Sequence, residues 1–87
     1  MPWHIYIIRC KGGLLYTGIT NDLDRRIAAH NSGKGCKFTK YRRPVKLLYS
    51  ESGFTKSGAL KREVQIKRLK RSDKLKLIKL ERRGREK

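Results

Sequence analysis

Tyr6, Tyr16, Arg26, His30 and Glu63 are scattered along the chain, yet their types suit a single reaction. Tyr6 closes the triplet His4-Ile5-Tyr6. Tyr16 opens Tyr16-Thr17-Gly18. Arg26 precedes His30 by one helical turn, and Glu63 stands among apolar positions further on. Cutting a phosphodiester takes a base for the attacking water, positive charge on the phosphoryl oxygens, and shielding of the leaving oxygen. A phenol with pKa ~10 is a poor base at neutral pH, but nearby cations favour the phenolate and lower that value. Cations are abundant here, so Tyr6 or Tyr16 could take the proton of the attacking water, with His30 as relay; the alternative is that both are ordinary strand aromatics. Arg26 would bind the scissile phosphate and stabilise developing charge. Glu63 would hold one hard cation, Mg²⁺ or Mn²⁺, an ion type that takes one or two carboxylates and otherwise keeps its waters.

Helical geometry selects among these residues. With Leu23 at 0° and about 100° per residue, Ile27 falls near 40°, His30 near −20° and Arg26 near −60°. Arg25 falls near 200°, facing water as a solvated charge or a loose phosphate contact. Arg26 and His30 thus flank the apolar stripe one turn apart. On geometry alone, Arg26 could equally lay its stem along apolar surface with its head in water, and His30 could be an ordinary core residue. In a second helix, with Ala59 at 0°, Glu63 falls near 40°. The sequence predicts an apolar arc of Leu60, Val64, Ile66 and Leu69 around it. A carboxylate there needs a partner, because burying it unpaired is costly. The partner is either an arginine or a cation.

The positioning elements are legible in outline. His4–Cys10 is β-branched and aromatic, Lys11–Gly13 breaks it, and Leu14–Thr20 reads as a second strand. A three-residue loop would put Tyr6 and Tyr16 on one face, and a two-residue loop would separate them. Asn21–Gly33 reads as a helix, with Asn21 as N-cap, Asp22 and Asp24 in the first turn and Gly33 at the end. A basic loop follows, stopped by Pro44. Val45–Glu51 is a third strand, Lys56 to about Arg71 a second helix, and Ser72 or Asp73 restarts a third, short one. The expected fold is α+β: a small three-stranded antiparallel sheet flanked by helices, in the order β-β-α-β-α-α. It forms one domain over residues 1–82, with a charged flexible tail at 83–87.

Bulk properties agree with a polyanionic partner. The 87 residues carry 24 Lys and Arg against 7 Asp and Glu, a formal net charge of +17. Both halves are basic. Such an excess repels itself unless neutralised, and nucleic acid is the commonest neutraliser. Lys34, Lys37, Lys40, Arg42 and Arg43 surround Phe38 and Tyr41 in the loop, a mixture suited to pairing phosphates and stacking bases, or simply a solvated charge run. Gly18 would admit a close backbone approach to nucleic acid, or make a bulge. Cys10 and Cys36 form neither a disulfide framework nor a metal set. No apolar run reaches membrane length, and the N-terminal residues lack a signal-peptide pattern. The expectation is a cytoplasmic protein with no membrane partner and no small-molecule cofactor. A core this small leaves chemistry to a surface groove.

Taken in order, these residues resemble the GIY-YIG endonuclease family. Tyr6 matches the tyrosine of its first motif, whose glycine is replaced here. Tyr16-Thr17-Gly18 matches the second, Arg26 and His30 the helix signature, and Glu63 the metal-binding glutamate. More narrowly, "LYTGIT", "RR…H", "GKG" and "RRPV" resemble a small single-domain bacterial subgroup of uncharacterised proteins. The resemblance spans roughly Pro2 to Ile78. It implies metal-dependent hydrolysis of DNA phosphodiesters, as in DNA repair, with 5′-phosphate and 3′-hydroxyl products and one Mg²⁺ or Mn²⁺ ion at Glu63. Two features depart from the family. The late asparagine that lines the site in many members has no counterpart, since Asn21 and Asn31 are both early. No second domain selects the DNA, so a protein partner could supply specificity. The alternative reading is a nucleic-acid-binding module that uses the same fold without cutting.

Overall fold

The computed structural model describes residues 2–85. Its strands are β1 (Trp3–Arg9), β2 (Leu15–Thr20) and β3 (Lys46–Phe54). Its helices are α1 (Leu23–Asn31), α2 (Lys37–Lys40), α3 (Lys56–Lys67) and α4 (Arg71–Arg85). The antiparallel sheet has the order β2-β1-β3. β1 is the central strand, which explains its unbroken apolar run: Ile5, Tyr6, Ile7 and Ile8 are all fully buried because both faces are covered. Ile5 and Ile7 pack with Tyr49, Ala59, Ile66 and Ile78 on one face. Tyr6 and Ile8 pack with Cys10, Val45, Tyr16, Leu23 and Ile27 on the other. The sheet is therefore the middle of three layers, with α1 on one side and α3 and α4 on the other.

The β1–β2 connection is the three-residue one. Lys11–Gly13 forms a single 3₁₀ turn, closed by the Gly13 N–H donating to the Cys10 carbonyl at 3.0 Å, and the Cys10 N–H donates to the Leu14 carbonyl across the loop at 2.7 Å. Gly12 and Gly13 both take φ above +80°, a region closed to most side chains. The register pairs Ile8 with Tyr16 and Tyr6 with Gly18, so Tyr6 and Tyr16 share a face. That register runs without interruption, so Gly18 makes no bulge. α1 is capped by Asp22, whose side chain accepts from the Arg25 N–H at 3.2 Å. The expected cap, Asn21, lies one residue too early. Gly33 does end the helix: its N–H donates to the His30 carbonyl and that of Lys34 to Ala29, a Schellman closure.

Three other expectations change. The basic loop contains the short helix α2. The last helix is longer than foreseen, because its charged residues are good helix formers; it runs to Arg85, and the rest of the expected 83–87 tail lies outside the described residues. On α3 the buried stripe is narrower than the apolar arc. Leu60 and Val64 are 44% and 47% exposed, while Ala59 and Ile66 are fully buried. The sheet covers α3 from one side only, so the contact face is Ala59, Arg62, Glu63 and Ile66.

Arg62 fixes that orientation. Its Nε and Nη2 donate to Glu51 Oε1 and Oε2 at 2.9 Å each, and Tyr49 donates to the same carboxylate. This arginine holds the Glu51 carboxyl below its ordinary 4.5. As pH falls, the unfolded chain takes up this proton before the folded one. The pair's stabilisation is thus fully present above about pH 4.5 and is lost as pH drops through the folded value. Arg62→Ala is expected to cost about 1–3 kcal/mol at pH 7, somewhat screened because both side chains are partly exposed. The difference from wild type should shrink as pH falls below about 4.5. Urea unfolding of both proteins across pH measures it, and a pH-independent difference would show that the ion pair is not its source.

Candidate active site

Four elements contribute to a cluster on the α1 face of the sheet. β1 supplies Tyr6, β2 supplies Tyr16 and Gly18, α1 supplies Arg26 and His30, α2 supplies Thr39. The ring centroids of Tyr6, Tyr16 and His30 lie 5.4–6.3 Å apart. Arg26 Nε donates to the Tyr6 phenol oxygen at 3.3 Å. The phenol lies 2.8 Å from His30 Nε2, and His30 Nδ1 lies 2.7 Å from Thr39 Oγ1. Tyr6, His30 and Thr39 are fully buried. Arg26 is half-buried and lies at the mouth of a surface groove of about 390 Å³, lined also by Thr20, Asn21, Asp22, Arg25 and Ala29. Arg26 is thus the hinge between an interior hydrogen-bonded chain and solvent. Its Nη groups have no hydrogen-bond partner among the described residues. The helical wheel separated the two arginines correctly: Arg25 is exposed.

The close packing depends on two glycines. A Cβ at Gly18 would run into the Tyr6 hydroxyl and sit 2.6 Å from Tyr6 Cζ. The close approach expected at Gly18 is therefore made by the protein's own phenol, and the buried glycine offers no backbone to a nucleic acid. A Cβ at Gly35 would run into His30 Nδ1 and come within 2.8 Å of the His30 Cα.

Burial raises the Tyr6 pKa, and the hydrogen bond and charge of Arg26 only partly offset it. Burial also raises Tyr16, assisted by the nearby Cys36 thiol. The expectation that surrounding cations would lower the phenols is overturned: most of the positive charge is on the surface, and desolvation wins inside. His30 is lowered, first by burial and then by the charge of Arg26. At neutral pH the cluster therefore rests as two phenols, a neutral imidazole and one guanidinium.

Glu63 is half-buried on α3. Its ion-pair partner is Lys67 Nζ, at 3.6 Å and largely in solvent. Its charge reaches Tyr6, adding a little to the raised pKa of that phenol. The carboxylate is therefore not consumed by an interior arginine; Glu51 has that arrangement instead. Among the described residues no group of three or more His, Cys, Asp or Glu could hold a metal. A closed structural site is thereby disfavoured. A single carboxylate, partly exposed and only weakly paired, fits a cation that retains waters and borrows substrate oxygens.

The basic loop divides. Arg42 Nη1 donates to the Phe38 carbonyl at 2.6 Å and its guanidinium lies 4.4 Å from the Phe38 ring. Arg43 donates to the carbonyls of Lys40 and Asn31. Both arginines therefore tie the loop together with part of their hydrogen-bonding capacity. Lys34, Lys37 and Lys40 are exposed. Phe38 stacks on Tyr16 at 5.5 Å, which leaves Tyr41, 81% exposed, as the open aromatic surface. Asn31 is committed to both backbone groups of Val45 and cannot replace a late asparagine. Thr39 was not foreseen, since a single hydroxyl nine residues from His30 carries no sequence signal. Gly35 had one: a second glycine just past a helix end marks a close approach.

The family model of the GIY-YIG catalytic domain matches residues 2–76. The UPF0213 protein SSP2268 of Staphylococcus saprophyticus is 57% identical over 75 residues, covering 86% of this chain and 92% of the relative. A UPF0213 protein of Staphylococcus epidermidis, SERP0126, is 54% identical over 74 residues, covering 85% and 90%. The solution NMR structure of the UPF0213 protein BH0048 from Bacillus halodurans superposes with a TM-score of 0.60 at 42% identity, covering 92% of this chain and 85% of that one. That of EF2693 from E. faecalis gives 0.63 at 34% identity, with the same coverage.

Proposed function

This chain belongs to the GIY-YIG catalytic-domain family, and from that premise we propose that it is a metal-dependent endonuclease hydrolysing DNA phosphodiester bonds. The observation that carries the reading is the chain Arg26–Tyr6–His30 ending at an open groove. A structural core would not need a guanidinium there.

The residues divide the work as follows. Arg26 keeps its Nη groups for the scissile phosphate, while its Nε–H holds the Tyr6 oxygen. Tyr6 would pass its proton to His30 Nε2 as it takes one from the attacking water, which has to reach the buried phenol past Arg26 from the groove, so no free phenolate is needed at rest. This suits a phenol whose pKa is raised and an imidazole whose pKa is lowered, because the shared hydrogen bond matches donor to acceptor. Tyr16, packed edge-on against His30, excludes water from that bond. Glu63 would hold one Mg²⁺ or Mn²⁺, which when bound neutralises charge on the phosphoryl and leaving oxygens. Lys34, Lys37, Lys40 and the free edges of Arg42 and Arg43 attract the backbone without reading bases. Among the described residues no helix is long and apolar enough to cross a membrane. The partner we infer is DNA, and the compartment the cytoplasm.

The test is incubation with plasmid, branched and single-stranded DNA, with and without Mg²⁺ or Mn²⁺. Nicking that appears only with metal is the expected result. Binding that weakens with salt, with no cutting under any metal, would favour the non-catalytic module. Binding indifferent to salt would defeat both readings, since phosphate contacts release counterions.

A further inference from the structure

We propose that Thr39 is a positioning residue of this site: it holds His30 in the Nδ1–H tautomer, so that the Nε2 lone pair faces the Tyr6 hydroxyl. The inference deepens the proposed roles of Tyr6 and His30 and rests on them for its catalytic meaning.

Proton counting carries it. Tyr6 and His30 are both fully buried. The Tyr6 oxygen already accepts from Arg26 Nε, a group that can only donate. Among the described residues the one acceptor within reach of the Tyr6 O–H is His30 Nε2, at 2.8 Å. Were Nε2 protonated instead, the phenol would face two donors and its own proton would be buried without a partner. So Nε2 accepts, Nδ1 carries the hydrogen, and that hydrogen needs an acceptor. Thr39 Oγ1 lies 2.7 Å away. Thr39 in turn can point its own proton at the Cys36 carbonyl, a pure acceptor 3.4 Å away. Every proton from Arg26 to His30 then has one destination, and the Thr39 hydroxyl proton has the Cys36 carbonyl or the Cys36 sulfur, 3.5 Å away. When His30 takes the Tyr6 proton, the Nδ1–H···Oγ1 bond becomes charge-assisted and strengthens. Thr39 therefore makes His30 a better acceptor as well as a correctly turned one. Gly35 closes the cage over the same nitrogen.

The experiment reads the two ring nitrogens of His30 by ¹⁵N NMR in the DNA-free protein, alongside cleavage kinetics. Wild type is expected to show Nδ1 protonated and Nε2 bare. Thr39→Ser should keep that pattern and stay within a few-fold of wild-type kcat. Thr39→Val, similar in shape but with no acceptor, should give mixed tautomers and lower kcat by roughly 10–100-fold, the range for losing a partner that orients a site histidine, with KM little changed. A wild-type Nε2–H tautomer overturns the proposal, as does Thr39→Val with a pure Nδ1–H signal and full activity. If Thr39→Val does not fold, the wild-type tautomer and its retention in Thr39→Ser decide. Because the tautomer is read without DNA, a protein that never cuts would sink the nuclease reading while leaving this result standing or falling by itself.

Discussion

Glu63→Ala is expected to lose about a thousandfold in cleavage rate while binding DNA as wild type does and melting no lower. The rate estimate follows from the several kcal/mol that a bound metal contributes to transition-state charge, at about 1.36 kcal/mol per tenfold. The stability expectation has the opposite sign for a physical reason. Glu63 lies on the contact face of α3, where a carboxylate loses hydration, and its ion partner is a half-exposed lysine one turn on. Such a pair is worth about 0.3–0.5 kcal/mol, and alanine is the better helix former. On the proposed reading, a carboxylate kept there at some cost to the fold is a stability–activity trade-off. Nicking assays, thermal melting and a binding titration on the same preparation separate the outcomes. Full cleavage by Glu63→Ala would remove the carboxylate from the mechanism. A melting temperature that collapses with the activity would make it a structural residue.

Arg62→Ala should not mimic this. Arg62 neighbours Glu63 in sequence but faces the Glu51 carboxylate on the opposite side of the sheet from Tyr6. The two acids of this region thus have separate fates. Glu51 is paired with an arginine and a tyrosine, and Glu63 is left with a weak surface partner. The sequence posed this choice for Glu63 and could not decide it, because the acid that takes the arginine, Glu51, lies on β3 and only the fold brings it to α3.

What could be read beforehand was whatever depends on one element at a time. The four-residue step from Arg26 to His30 fixes their shared face whatever packs against it. The same-face placement of Tyr6 and Tyr16 followed once the loop was three residues long, and Lys11-Gly12-Gly13 supplied those residues. Properties that belong to several elements together were out of reach. The phenol pKa values moved up because α1, α2 and β2 jointly exclude water from Tyr6, and no count of lysines reports that. Leu60 and Val64 look like core residues in the sequence, but only neighbours decide how wide a stripe α3 buries. Thr39 matters solely because α2 folds back over His30.

Gly18→Ala is the substitution expected to couple stability and activity most tightly. The added Cβ would sit 2.6 Å from Tyr6 Cζ and collide with the hydroxyl. Tyr6 cannot simply turn away: it is fully buried, and its oxygen is held by Arg26 and His30. Overpacking of this kind typically costs about 1–3 kcal/mol. Displacing the phenol from His30 also breaks the proton path, and losing a positioned general base costs on the order of 10²–10⁴ in rate. The contact itself can be measured by a double-mutant cycle in urea unfolding. Tyr6→Ala removes the atoms that the new methyl would strike, so Gly18→Ala should be nearly free in that background while costly in wild type. Equal costs in the two backgrounds would show that Gly18 is required by the strand itself and not by the phenol lying over it.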